Sequence, residues 1–217
     1  MSPTQLNLDG YTDVPAGHVA SIVTYLEMPQ PPRLEPAPEL AGAALARLTG
    51  RDEPRYAAIY RRLGERWMWF SRLALSPAER AAILDDKRVE ACAVTLDGRE
   101  AGLLELDFRV EGEVELAFLG LVDDAVGTGA GRWLIQHALA AAWARPGIAR
   151  LWVHTCTLDH PRALEFYRRA GFMPYKIAIE IAPDPRLCAL FPRDAAPHVP
   201  IVEGRPLSRR ENVASNM

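Results

Sequence analysis

Three glycines, Gly127, Gly129 and Gly131, alternate along Val126-Gly-Thr-Gly-Ala-Gly131 and stand immediately before a helical stretch. No side chain obstructs them, so several backbone N–H groups can turn outward together at a helix N-terminus, where the dipole favours an anion. That is chemistry for a phosphate or a pyrophosphate. The spacing lacks the GxGxxG of dinucleotide-binding folds and the Lys-Ser/Thr ending of a nucleotide P-loop. The bland alternative is a flexible glycine turn with no ligand.

A second concentration of reactive groups is His154, Thr155, Cys156, Thr157, Asp159 and His160. A zinc site is conceivable from the histidines and the cysteine, but their spacing matches no standard ligand pattern, and no metal is expected. A cysteine nucleophile at Cys156 is another possibility. A third places His160 or Asp159 as a helix cap, with His154 lining a substrate pocket. Upstream, Trp67, Trp69, Phe70 and Arg72 form either a pocket wall suited to a planar or carboxylate-bearing amine or an ordinary helix–helix aromatic core.

These groups need elements to position them. Val89–Leu96, Ala101–Val110 and Glu113–Leu121 read as three strands joined by Asp97-Gly98 and Glu111-Gly112 turns, an antiparallel meander. In the middle strand Leu104, Leu106, Phe108 and Val110 alternate with Glu105, Asp107 and Arg109, predicting one buried and one polar face. The glycine loop follows, then a helix through Ala144, a strand Arg150–Thr157, a helix Pro161–Ala170 closed by Gly171, and a strand Tyr175–Ile181. Ahead of the meander lie a strand at His18–Met28, a proline-rich strap over Pro29–Pro38, and two helices between Asp52 and Asp86. The second helix is opened by a Ser76/Glu79 capping box. Ala163, Phe166, Tyr167 and Ala170 share a helical stripe, the mark of a core tyrosine.

Two of these segments carry a family likeness. Leu119-Gly-Leu121 followed by Gly129-Ala-Gly131 resembles the coenzyme A motif of the GNAT superfamily of N-acyltransferases, Q/R-x-x-G-x-G/A, with Val126 where Gln or Arg stands. His160-Pro-Arg-Ala163, Tyr167 and Gly171-Phe172 resemble its second hallmark, N-x-x-A-x-x-x-Y then Gly-Phe, with His160 in place of Asn. The resemblance covers about Val89 to Phe172. Trp152–Pro161 together with Trp67–Leu73 is similar to an uncharacterised bacterial subgroup of that superfamily.

The resemblance implies an α/β (α+β) fold: a mixed, mostly antiparallel central sheet flanked by helices, antiparallel through its first four strands and splayed between the Leu121 and Leu151 strands. It implies acetyl-CoA as acyl donor, with the pyrophosphate on Val126, Gly127, Gly129, Ala130, Gly131 and Arg132. The pantetheine arm would run along Leu119 and Leu121, with His160 and Ala163 also contacting the cofactor. Tyr167 becomes the general acid for the departing thiolate. An amine must lose a proton before attacking a thioester. Glu115, on the strand entering the loop and on one face with Ala117 and Leu119, is the candidate base, with a raised pKa; His154 or water is the alternative. Trp69 and His154 are the candidate acceptor contacts. The expected activity is N-acetylation of a primary amine in a ternary complex; the competing reading is a non-catalytic acyl-CoA sensor.

Composition sets the bounds. With 217 residues, 49% of them hydrophobic and 24% charged, the chain has the balance of a soluble protein with one core. The expected division is residues 1–38 (strand and strap), 39–182 (acyltransferase core) and 183–217 (C-terminal segment and tail, fraying beyond Ser208). A net charge of −3 gives no general attraction to nucleic acid. No apolar run spans a bilayer and Met1–Gly10 lacks a signal pattern, so the expectation is a cytoplasmic monomer or homodimer with neither membrane nor nucleic acid as partner. Cys92, Cys156 and Cys188 are odd in number and scattered, which predicts reduced, mostly buried thiols.

Overall fold

The computed structural model of the protein describes residues 6–32 and 39–204; most of the expected strap, from residue 33 to 38, and the tail beyond Ser208 lie outside them. In chain order the elements are β1 (His18–Met28), β2 (Ala43–Leu48), α1 (Glu53–Gly64), α2 (Pro77–Asp85), β3 (Val89–Leu96), β4 (Arg99–Asp107), β5 (Glu113–Leu121), α3 (Ala130–Ala144), β6 (Arg150–Cys156), α4 (Ala163–Arg169) and β7 (Met173–Pro183). They build a mixed α/β structure around one seven-stranded, mostly antiparallel sheet in the order β2-β3-β4-β5-β6-β1-β7.

Local chemistry explains most of these elements. Asp97 and Gly98 both have positive φ, and Leu96 pairs Arg99 directly across the turn, so β3 and β4 form a tight two-residue hairpin. At the start of α2 the Ser76 N–H donates to the Glu79 carboxylate at 2.8 Å while Ser76 Oγ accepts from the Glu79 N–H at 3.3 Å, the reciprocal capping that the sequence signals. Helices α3 and α4 cover one face of the sheet over Leu26, Leu104, Leu106, Val114, Leu116, Leu151 and Val153. The other face carries Ala91, Ala93 and Leu103, packed with Tyr56, Ile59, Tyr60, Leu63 and Leu84 of α1 and α2.

The fold departs from sequence expectation in five places. Strand β2 was not foreseen, because Ala-Ala-Leu-Ala-Arg-Leu has no β-branched residue and its strand character comes from pairing with β3. The predicted polar face of β4 is not solvated: Glu105 is 0% exposed, β4 ends at Asp107, and Val110 is exposed. Helix α4 begins at Ala163, two residues after the predicted Pro161. Strand β1 does not join the meander but lies between β6 and β7, so the antiparallel run before the splay is β2 to β5. Among the cysteines, Cys188 is exposed.

Burial of Glu105 has a structural cause. Arg72, from the α1–α2 connection, donates to it through Nη2 at 2.6 Å, and the Tyr56 hydroxyl donates at 2.5 Å. The segment following β7 is tied down by a fully buried ion pair, Arg186 to Asp184 at 2.7 Å, with Arg186 also donating to the carbonyl of Val199 at 2.7 Å.

Candidate active site

Strands β5 and β6 pair in parallel only from Glu113↔Arg150 to Glu115↔Trp152, and beyond that point they part. The gap opens into a cavity of about 450 Å³. Its walls come from separate elements: Leu119, Gly120 and Leu121 of β5, the glycine loop, His160, and Ala163, Phe166 and Tyr167 of α4. Trp67 and Trp69 of the α1–α2 connection close it.

At the mouth, Gly127 and Gly129 have φ of +89° and +95°, and a Cβ on either would meet nothing within 4 Å. The loop is held in the left-handed region that glycine tolerates and presents open backbone. Gly131 lies in the first turn of the 15-residue α3, where N–H groups have no helical acceptor. The Val126 N–H is not presented in this way, because it donates to the Asp123 carbonyl at 3.1 Å; the Val126 side chain lines the cavity instead. Ala130 is buried, with its N–H 3.4 Å from Thr128 Oγ1. Arg132, Arg162 and Arg169 stand at the same mouth. An open glycine cradle beside cations, leading into an apolar cleft, fits a pyrophosphate carrying a long uncharged arm.

Deeper in, Tyr167 is buried, its ring edge-on to Phe166 and Phe172 at centroid distances of 5.4 and 6.0 Å. Burial first, and the charge of Asp159 second, push its hydroxyl pKa well above the usual phenol value. A phenol so placed stays protonated at neutral pH.

Trp69 bridges the gap. A Cβ on Gly120 would stand 2.9 Å from its indole Cη2, so glycine there lets the ring lie on the β5 backbone. Its Nε1 donates to Asp159 Oδ1 at 2.8 Å, and Asp159 Oδ2 in turn accepts from Thr155 Oγ1 at 2.6 Å and the Cys156 N–H at 3.0 Å. Asp159 therefore does not cap α4; it ties the aromatic wall to the end of β6. His160 Nδ1 accepts the Arg162 N–H at 3.1 Å just before α4, and its ring lies edge-on to Trp67 at 5.2 Å.

Glu115 and His154 are not in this cavity. A bulge in β5 sets Leu116 against Leu106 but Phe118 against Glu105, so Glu115 shares a face with Phe118 and Asp107, opposite to Leu119. The expectation of a common face with Leu119 is thus corrected. On that face Glu115 is 25% exposed and its Oε1 lies 3.4 Å from His154 Nδ1, with His154 45% exposed beside Trp152 and Tyr25. The hydrogen bond to Glu115 raises the His154 pKa, against the opposing effect of burial. The two proton-handling groups of the candidate mechanism thus face the splay from opposite sides of the sheet.

Cys156 is half-buried, and burial followed by the charge of Asp159 raises its pKa, which suppresses the thiolate a covalent route needs. The sequence reading missed Gly120, Asp159 as a tether, Phe166, Arg162 and Arg169. Local signals existed for some of them: Phe166 shares the helical stripe of Tyr167, Gly120 and Arg162 lie inside the two motifs, and Thr155 and Asp159 stand four residues apart.

The model of the Acetyltransferase (GNAT) family matches residues 56–172, more than half of the chain. A comparison with curated proteins gives no match. Among solved structures, a GCN5-related N-acetyltransferase from Kribbella flavida superposes with a TM-score of 0.53 at 20% identity, over 80% of this chain and 63% of that one. A functionally unknown conserved protein from Staphylococcus epidermidis gives 0.53 at 10% identity, over 77% and 63%. At these identities the likeness is one of fold, and this chain spans less than two thirds of either protein.

Proposed function

The chain belongs to the GNAT acetyltransferase family, and on that premise we propose that it moves an acetyl group from acetyl-CoA to a primary amine by direct attack in a ternary complex. The observation that carries this reading is the cleft between β5 and β6, which has an open glycine cradle at its mouth and the buried Tyr167 in its wall.

Acetyl-CoA supplies the activated thioester. The backbone from Gly127 to Arg132 holds the pyrophosphate, Leu119 and Leu121 pair with the pantetheine arm, and His160 and Ala163 border that arm from the α4 side. A backbone N–H near Leu121 polarises the carbonyl. The acceptor enters from the Glu115 and His154 face, with Trp69 as a wall between the two entrances. Glu115 and His154, directly or through water, take the proton the amine must lose. As the new N–C bond forms and the C–S bond breaks, Tyr167 gives its proton to the departing thiolate.

The test is release of free thiol from acetyl-CoA by the purified chain across a panel of primary amines. Amine-dependent release is the expected outcome. Binding of acetyl-CoA with no turnover on any amine would point to a sensor instead, and absence of binding contradicts both.

A further inference from the structure

We propose that β7 is a self-complementary edge on which a second copy of this chain docks, antiparallel about a two-fold axis at Ala178. Strand β7 ends the sheet order, beyond β1. The Thr157 N–H donates to the Ile22 carbonyl at 3.0 Å and the Ile22 N–H to Thr157 Oγ1 at 3.1 Å, so Ile22 directs its backbone groups away from β7. Its partner there is Ile179. In an antiparallel ladder such a pair is non-hydrogen-bonded, so the N–H and C=O of Ile179 point out of the sheet, as do those of Ile177 and Ile181 by alternation.

Around that edge the sequence is nearly palindromic. Met-Pro-Tyr-Lys-Ile-Ala-Ile-Glu-Ile-Ala-Pro, folded about Ala178, sets Ile177 against Ile179, Lys176 against Glu180 and Tyr175 against Ile181. Outward-facing residues meet outward-facing residues, which is what an isologous ladder requires. The two-fold produces two Lys176–Glu180 pairs on one face. On the other it brings together isoleucines that are now exposed, Ile177 at 72% and Ile179 at 50%. Moving the axis to Lys176 or Glu180 would oppose like charges, so charge also selects the register. Pro183, without an N–H, ends the ladder, while the register shift between Tyr25 and Leu26 limits its other end. An edge protected only by charge needs no such complementary order. The charged face of this edge adjoins the His154 side of the sheet, where Lys176 lies over the Tyr25 ring and Glu180 acts on the charge of His154.

Sedimentation velocity of the full chain over about 1 to 200 µM should show a reversible dimer, because a short ladder buries little surface. Lys176→Glu should raise the dimer dissociation constant by about tenfold, and adding Glu180→Lys should restore it. Ala178→Cys should give a covalent dimer on mild oxidation, above the background of the native cysteines, since residues facing each other in a non-hydrogen-bonded pair lie about 4.5 Å apart at Cα. A monomer at every concentration would overturn the proposal. So would a dimer that neither responds to the charge reversal nor cross-links through position 178.

Discussion

Tyr167 has no described hydrogen-bond partner that would compete for its proton, and burial keeps that proton in place. If it is the general acid, Tyr167→Phe should lower kcat by about a hundredfold or more while the dissociation constant for acetyl-CoA, measured by calorimetry, barely moves. On the opposite face the sign of the His154 shift gives a second prediction. Its pKa is raised chiefly by the hydrogen bond to Glu115, so the neutral, proton-accepting form is gained only as pH climbs beyond the ordinary histidine value of about 6.5. The acidic limb of kcat/KM should lie above that value, and Glu115→Gln should move it to lower pH. A limb that stays in place would remove the pair from proton transfer. The place of Tyr167 and the glycines along the cleft was legible because their spacing resembles two motifs of one family; the helical stripe alone marked Tyr167 only as a core residue. The face of Glu115 was not, since nothing in Glu-Leu-Ala-Phe-Leu announces the bulge that turns it away from Leu119. Nor was the Trp69–Asp159 contact, whose partners are 90 residues apart.

At the scale of elements, the α1–α2 connection is held in place by Arg72, 15% exposed, against the fully buried Glu105 and its Tyr56 donor. Arg72→Met would strand a buried carboxylate, and a loss of about 3 kcal/mol in denaturant unfolding is expected. Because the same connection carries Trp67 and Trp69 into the cleft, activity should fall with stability. Ser76→Ala, which removes only the cap of α2, should cost about 1 kcal/mol and leave turnover intact. The Asp97-Gly98 hairpin and this cap were readable because turn and cap chemistry is local. Strand β2, with its alanines, and the insertion of β1 between β6 and β7 were not, because tertiary pairing decides both.

For the molecule as a whole, one sheet has two open places, the parting of β5 and β6, proposed to admit acetyl-CoA, and the β7 edge, proposed to take a second copy. Amide hydrogen exchange with and without coenzyme A shows whether the opening between β5 and β6 takes the cofactor. Exchange should slow at 119–121, 127–132 and 160–167, the segments that border the cleft, with little change on α2 or β2. Protection concentrated elsewhere, for instance around another cavity, lined by Leu96, Arg99 and Val122, would contradict binding in the cleft.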